Sequence, residues 1–121
     1  MANGDITGVK RILMAFVYSW NGFKAAYKHE ESIRIELLAI IVFCPLGIHL
    51  GDNGVERTLL VCSIIAVFLI ELINSAIEAV VDRFGGEIHH LSGRAKDIGS
   101  AAVAVAITLA VITWTLIIFE W

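Results

Sequence analysis

The sequence contains only two cysteines and one proline, and it lacks the sequence motifs of several large enzyme classes. Cys44 and Cys62 lie in separate apolar runs without a CxxC pair, which predicts buried apolar side chains rather than a metal or redox site. No block of basic residues or low-complexity tract occurs, so nothing indicates nucleic-acid binding. A GxxxxGK(S/T) phosphate loop, a GxGxxG turn, an HExxH pair and a Ser-His-Asp arrangement are also missing, which argues against the enzyme classes that those motifs mark.

Apolar residues, by contrast, make up 58% of the 121 residues, and the mean hydropathy is +0.81. A single soluble core of this size could not bury so much apolar surface, so the composition predicts a chain whose solvent is lipid. The length predicts one domain, residues 1–121. The net charge of −3 is small and indicates no particular partner.

The N-terminal segment, residues about 6–28, has the pattern of an amphipathic helix. Apolar and aromatic side chains recur at helical spacing, and basic and polar side chains fill much of the remainder. The apolar run is too short to span a bilayer, which favours a surface helix in the plane of the interface, with a helix packed on protein as the alternative. No small-residue cleavage site follows, so we expect the segment to be retained rather than removed as a signal peptide.

Three apolar segments follow, at residues about 33–50, 58–81 and 98–119, and each approaches the roughly 20 helical residues that a bilayer requires. The first is the least clear, because it begins among charged residues and contains Pro45. Residues 82–97 form the one substantial polar loop. The predicted fold is therefore an all-α integral membrane protein with an N-terminal amphipathic surface helix and three transmembrane helices.

The distribution of Lys and Arg predicts the orientation in the membrane. Four of these residues precede the first apolar span, a fifth, Arg34, lies at the start of that span, one lies in the first loop, three lie in the second loop and none follows the third span. The positive-inside rule then puts the N-terminus and the 82–97 loop in the cytoplasm and the C-terminus outside.

A polar stripe crosses the end of the second span, where Glu71, Asn74, Glu78 and Asp82 are separated by steps of three, four and four residues. At about 100° per residue, these side chains share one face of a helix. Ionisable groups at membrane depth are costly and by default mark a functional site. The alternative is a hydrogen-bonding stripe that only joins helices.

The chemistry of these groups fits phosphoryl transfer. Clustered carboxylates bind Mg²⁺ together with substrate phosphates, and a cation such as Lys96 can hold those phosphates. A carboxylate in lipid is suited to take a proton from a hydroxyl group. Positioning and charge neutralisation then carry most of the catalysis. A small proton-coupled transporter, which would also use intramembrane glutamates, remains an alternative from a different class.

Two stretches, 71–82 (ELINSAIEAVVD) and 93–103 (GRAKDIGSAAV), closely resemble the small prokaryotic integral-membrane diacylglycerol kinase family. The resemblance covers nearly the whole chain, including Arg11, residues 18–20 and Glu30. It implies a homotrimer with active sites shared between neighbouring chains. It also implies MgATP-dependent phosphorylation of diacylglycerol to phosphatidic acid at the bacterial inner membrane.

The resemblance also implies roles for individual residues. Glu71 is the expected general base on the lipid hydroxyl, with Asn74 as a supporting catalytic residue and Glu30 and Glu78 as metal ligands. The expected nucleotide-binding residues are Arg11, Tyr18, Glu30, Glu78, Asp82, Glu87, His89, Lys96 and Asp97. The expected lipid-side residues are Arg11, Ser32, Glu36, Glu71, Ser100 and Trp114.

Two points limit which of the family's properties can be assigned to this sequence. The family often has a basic residue where Met14 stands, so a phosphate contact there is in question. Gram-positive relatives phosphorylate undecaprenol on the same scaffold, and an undecaprenol kinase is therefore the alternative within the family.

Overall fold

The computed structural model describes residues 7–85 and 89–119, and every regular element in these ranges is an α-helix. The helices are α1 (Gly8–His29), α2 (Glu31–Leu50), α3 (Gly54–Asp82) and α4 (His90–Ile118). Helices α2, α3 and α4 are each long and apolar enough to cross a membrane. The prediction of an all-α chain with three candidate membrane spans is confirmed for the described residues, whereas the amphipathic surface position of α1 and the trimer stay predictions.

The corner between α1 and α2 consists of one residue. Glu30 adopts an extended conformation, and its N–H donates to the Ala26 carbonyl at 2.9 Å. Arg34 reaches back from the first turn of α2 and donates to the Tyr27 carbonyl at 2.6 Å and to the Lys28 carbonyl at 3.4 Å. The last carbonyls of α1 thus obtain the donors that a helix C-terminus otherwise lacks.

Helix α1 packs less closely on the rest of the molecule than the other helices pack on each other. Its clearest aromatic contact is the stacking of Phe23 on Phe68 of α3, with ring centroids 6.3 Å apart. The attachment of α1 therefore depends mainly on its C-terminal half and on the corner at Glu30.

The turn between α2 and α3 is held by side chains on both of its sides. Asn53 caps α3 by accepting the Glu56 N–H at 2.9 Å, and the Glu56 carboxylate accepts the Asp52 N–H at 2.7 Å. Arg57 Nε donates to the carbonyls of Ile48 and Gly51, each at 3.1 Å. These bonds close the end of α2, which continues as a helix through Pro45 to Leu50.

Helices α3 and α4 pack antiparallel through small residues. Gly99, near the start of α4, lies against Asn74, near the end of α3. Ala106 and Ala110 pack on Val67 in the middle of the pair. Trp114, near the end of α4, reaches Leu60 and Ser63 near the start of α3. Small side chains let the two backbones approach closely, as helices in membranes require.

Helix α4 begins at His90, so residues 90–97 are helical rather than part of a loop as the sequence predicts. His89 caps this start, because its Nδ1 accepts the Leu91 N–H at 3.1 Å. Arg94, Ala95 and Lys96 are good helix formers. The charges of Arg94 and Lys96 favour a position outside lipid, but charged side chains do not indicate an irregular backbone.

Candidate active site

The polar face of α3 changes from buried to exposed along the helix. Glu71 is only 8% exposed, and Ser75, one turn later, is equally buried. Glu78 is half-buried, and the side chain of Asp82 at the helix end is 63% exposed. The stripe predicted from the spacing therefore runs from the interior of the helix bundle to its solvent-exposed end.

Glu71 has a second carboxylate close to it. Glu36 of α2 lies near enough for the two charges to interact across the α2–α3 interface. Both helices carry their carboxylate inside a candidate span, where a charge is expensive. A pair of acidic groups at this depth is difficult to explain by packing alone and suggests a functional use.

Asn74 links the middle of the stripe to α4. Its Nδ2 donates to Glu78 Oε1 at 3.3 Å, while Oδ1 points towards Gly99. Oδ1 is fully buried and has no hydrogen-bond donor among the residues that the structure describes. The carboxamide is therefore held between a carboxylate on its own helix and the bare backbone of the neighbouring helix.

Asp82 and Lys96 join the exposed ends of α3 and α4. Lys96 Nζ lies 2.8 Å from Asp82 Oδ1, and the lysine side chain is 43% exposed. Lys96 precedes the uncharged stretch 98–119, and the hydrogen bond and charge of Asp82 raise the pKa of its ammonium group. A cation thus stays charged at the open end of the stripe, where a phosphate could reach it.

Glu30 borders a groove of about 480 Å³ between α1 and α3. Ser19 and His29 of α1 line one side of the groove, and Ser75 and Ala79 of α3 line the other. Asn74 and Glu78 are not among the residues that line this groove. Within residues 7–85 and 89–119, no three His, Cys, Asp or Glu side chains are grouped as a metal site.

The other predicted residues are distributed over several places. Arg11, Asp97 and Ser100 are exposed, whereas Tyr18 and Ser32 are half-buried. His89 stacks on His90 with ring centroids 4.8 Å apart. Glu87 lies outside the described residues.

Trp114 is held at the opposite end of the bundle from Asp82. Its Nε1 donates to the Leu60 carbonyl at 3.2 Å and to Ser63 Oγ at 3.1 Å. The ring also meets Phe43 edge to face at 5.6 Å. Because Ser63 precedes Glu71 by eight residues, the tryptophan anchor lies about 12 Å from Glu71 along α3 at 1.5 Å per residue.

Two residues at the site were not selected from the sequence. Ser75 follows Glu71 by one helical turn, so the same spacing argument could have included it. Gly99 contacts Asn74 across two helices, and the only signal for it was a glycine inside a helical pattern.

Comparisons with known proteins agree with the resemblance noted in the sequence. Residues 17–118 match the family model described as prokaryotic diacylglycerol kinase. The chain is similar to the diacylglycerol kinase of Escherichia coli (strain K12), with 48% identity over 120 residues, 99% of this chain and 98% of the relative. It is also similar to the diacylglycerol kinase of Haemophilus influenzae, with 42% identity over 93% of this chain and 96% of the relative. The corresponding protein of Pseudomonas aeruginosa is 45% identical over 93% of this chain and 91% of its own length.

Proposed function

The chain belongs to the prokaryotic diacylglycerol kinase family and is a lipid kinase, and we propose that it transfers the γ-phosphoryl group of ATP to diacylglycerol through the polar face of α3. The observation that carries this assignment is the gradient of burial along that face, from the buried Glu71 to the exposed Asp82. One substrate arrives from lipid and the other from water. A single helix can present a reactive group to each, because its polar face crosses between the two environments.

Glu71 acts as the general base in this proposal. Its carboxylate accepts the proton of the lipid hydroxyl, and the hydroxyl oxygen forms a bond to the γ-phosphorus of ATP. The bond between that phosphorus and the β–γ bridging oxygen breaks, so ADP leaves with the electron pair. The position of Glu71 inside the candidate span of α3 supports this role, because a base that meets a membrane-dissolved alcohol must lie at the depth of that alcohol.

Glu78, Asn74, Asp82 and Lys96 serve the phosphate side. Asn74 holds the Glu78 carboxylate through its Nδ2, and Lys96 carries positive charge beside Asp82. We further assign the following residues by the family resemblance. Arg11, Tyr18, Glu87, His89 and Asp97 contact nucleotide, and Arg11, Ser32, Glu36, Ser100 and Trp114 contribute to the lipid side.

Glu30 and Glu78 are the proposed ligands of Mg²⁺. The ion usually takes one or two protein carboxylates and completes its octahedron with phosphate oxygens and water. Two carboxylates therefore suffice for such a site. Bound Mg²⁺ would neutralise charge on the phosphate oxygens during transfer.

The assembly proposed for the chain is a homotrimer in the bacterial inner membrane, with active sites shared between chains. Exposed small residues on α4, among them Ser100, Ala101 and Ala104, support a further helix–helix contact. Glu30 lines a groove whose lining does not include Glu78, which also favours a site completed by a neighbour. Native mass spectrometry in detergent should give the mass of three chains, and a monomer as the only active species would contradict the proposal.

The orientation follows from the charges, with the N-terminus and the 82–97 segment in the cytoplasm and the C-terminus outside. A reporter protein that is active only in the cytoplasm should work when it is fused to the N-terminus and fail at the C-terminus. The reverse pattern would overturn the orientation.

The function itself is tested with purified protein in mixed micelles. ATP consumption should require both Mg²⁺ and diacylglycerol, and phosphatidic acid should form in equal amounts with ADP. A parallel assay with undecaprenol decides between the two lipid alcohols, and faster turnover of undecaprenol would overturn the substrate assignment. Turnover that is independent of lipid would contradict the lipid kinase mechanism.

A further inference from the structure

Gly99 leaves room for a close contact that any Cβ atom at this position would displace. It is buried in α4, and the position that a Cβ atom would occupy there is already taken by Asn74 Oδ1. Gly93, on the same helix, has nothing within 4 Å of its corresponding position. Glycine at position 99 is therefore required by the close approach of Asn74 and not by the geometry of α4 in general.

The geometry also identifies the group that faces the amide oxygen. Because Oδ1 occupies the Cβ direction of Gly99, one of the two α-hydrogens of this glycine points at it. Contacts of this Cα–H···O type recur where helices pack closely. Among the described residues no stronger donor reaches Oδ1.

This contact fixes which end of the carboxamide faces Glu78. Nδ2 donates to Glu78 Oε1 at 3.3 Å in the observed orientation. The reversed amide would put its oxygen against the Glu78 carboxylate and its N–H groups against the bare glycine backbone, so both contacts would be lost. The oxygen of the Asn74 carboxamide packs closely against Gly99, and its NH₂ group is consequently turned towards Glu78.

We propose that Gly99 is a positioning residue, which seats the Asn74 carboxamide so that Nδ2 holds the Glu78 carboxylate in place for the phosphate side of the reaction. This inference rests on the proposed role of Glu78 in binding Mg²⁺ with ATP. Gly99 itself touches neither substrate. It acts through Asn74, and the same helix carries Lys96 three residues earlier, beside Asp82.

The test compares Gly99→Ala with Gly93→Ala in the full-length protein in micelles. Both variants add one methyl group to α4 and replace a glycine of the helix by a better helix former. The measurement is the Mg²⁺ concentration that gives half-maximal binding of a non-hydrolysable ATP analogue, because this value does not depend on turnover. We expect Gly99→Ala to raise it roughly tenfold, as the loss of a group that orients a metal ligand does, and Gly93→Ala to leave it unchanged.

A double-mutant cycle separates positioning from packing. In the Asn74→Ala background the side chain that the added methyl group would displace is gone, so Gly99→Ala should add no further increase in the Mg²⁺ requirement. If Gly99→Ala alone does not fold but Asn74→Ala/Gly99→Ala does, with the Mg²⁺ requirement of Asn74→Ala, the inference is supported. Three outcomes would overturn the inference. Gly99→Ala could raise the Mg²⁺ requirement equally in the Asn74→Ala background, or it could leave the requirement normal by itself. The third is that neither Gly99→Ala nor Asn74→Ala/Gly99→Ala folds.

Glu78→Gln distinguishes failure of this inference from failure of the proposed function. If Glu78→Gln leaves the Mg²⁺ requirement unchanged, the assignment of Glu78 as a metal ligand is wrong, and with it the link from Asn74 to Mg²⁺. If Glu78→Gln raises the requirement while Gly99→Ala does not, the proposed function survives and the role of Gly99 is rejected.

Discussion

The two ends of α3 are built in opposite ways. At its start, Asn53 caps the helix, Glu56 binds the turn backbone and Arg57 donates to two carbonyl groups of the preceding segment. Towards its end, Glu71 is buried near another carboxylate, and the amide oxygen of Asn74 has no donor among the described residues. One end uses its polar groups to close a turn, whereas the polar groups towards the other end close no turn and include a buried oxygen that no donor reaches among the described residues.

This difference shows how to read polar residues in a chain that is mostly apolar. Buried polar groups are normally paired, so a group left without a partner needs an explanation. Polar side chains occur at both ends of α3, but the one buried side-chain atom without a hydrogen-bond partner among the described residues, Asn74 Oδ1, lies towards its end. Functional sites are where a protein departs from the local rules that otherwise stabilise its fold.

The largest expected effect is that of Glu71→Gln. The amide cannot accept the proton of the lipid hydroxyl, so turnover should fall by roughly 10²–10⁴-fold, the usual contribution of a general base. Binding of the ATP analogue in the presence of Mg²⁺ should largely remain. Phosphatidic acid formation and analogue binding are measured on the same preparation.

Glu56→Gln at the opposite end of α3 is the matched control for Glu71→Gln. It makes the same chemical change on the same helix, and we expect nearly normal turnover. Near-normal turnover of Glu71→Gln would show that Glu71 is not the general base. The functional distinction between the two ends of α3 would then no longer hold.

Glu78→Gln should have a smaller and different effect. Because Glu78 is more exposed than Glu71 and bonds Asn74, its loss should raise the Mg²⁺ requirement by about tenfold or more. The measurement is phosphatidic acid formation across a Mg²⁺ titration. Recovery of turnover at high Mg²⁺ is expected for this variant and not for Glu71→Gln, and identical behaviour of the two would contradict the division of the stripe by depth.

Trp114→Phe tests whether the tryptophan anchor belongs with the stabilised end of α3. The variant removes an N–H that bonds Leu60 and Ser63, so the free energy of unfolding in micelles should fall by about 1–3 kcal/mol. The turnover number at saturating lipid should change little. A large loss of turnover at saturating lipid with unchanged stability would instead give Trp114 a part in the transfer step, beyond the lipid-side role assigned to it.

Asn53→Ala should have the smallest effect. It removes the N-cap of α3 and should lower the free energy of unfolding by about 1 kcal/mol. Thermal unfolding in micelles measures the loss, and Asn53→Asp is the control, since aspartate caps a helix equally well. A marked change in the Mg²⁺ or ATP requirement of Asn53→Ala would show that the two ends of α3 are coupled.

Much of this architecture could be predicted from local sequence. Long apolar segments predict the three candidate spans, and helical spacing places Glu71, Asn74, Glu78 and Asp82 on one face because that relation depends only on the period of the helix. Spacing also brings Asn74 within reach of Glu78, four residues later, and the structure contains that hydrogen bond.

Contacts between distant segments could not be predicted in this way. The approach of Gly99 to Asn74 and of Trp114 to Leu60 depends on how α3 and α4 align, and no local pattern encodes that alignment. The start of α4 at His90 could not be predicted, because polar composition alone does not distinguish an exposed helical turn from a loop. Roles that the family resemblance assigns to single side chains remain predictions until the variants are measured.

The one-residue corner at Glu30 has a mechanical consequence. With α1 lying in the plane of the membrane surface, as proposed, and Arg34 tying its last carbonyls to α2, a vertical movement of α1 carries Glu30 with it. The position of the Glu30 carboxylate along α3 then depends on the depth at which α1 lies in the membrane surface. Bilayer thickness and surface charge would thus influence the position of a proposed metal ligand.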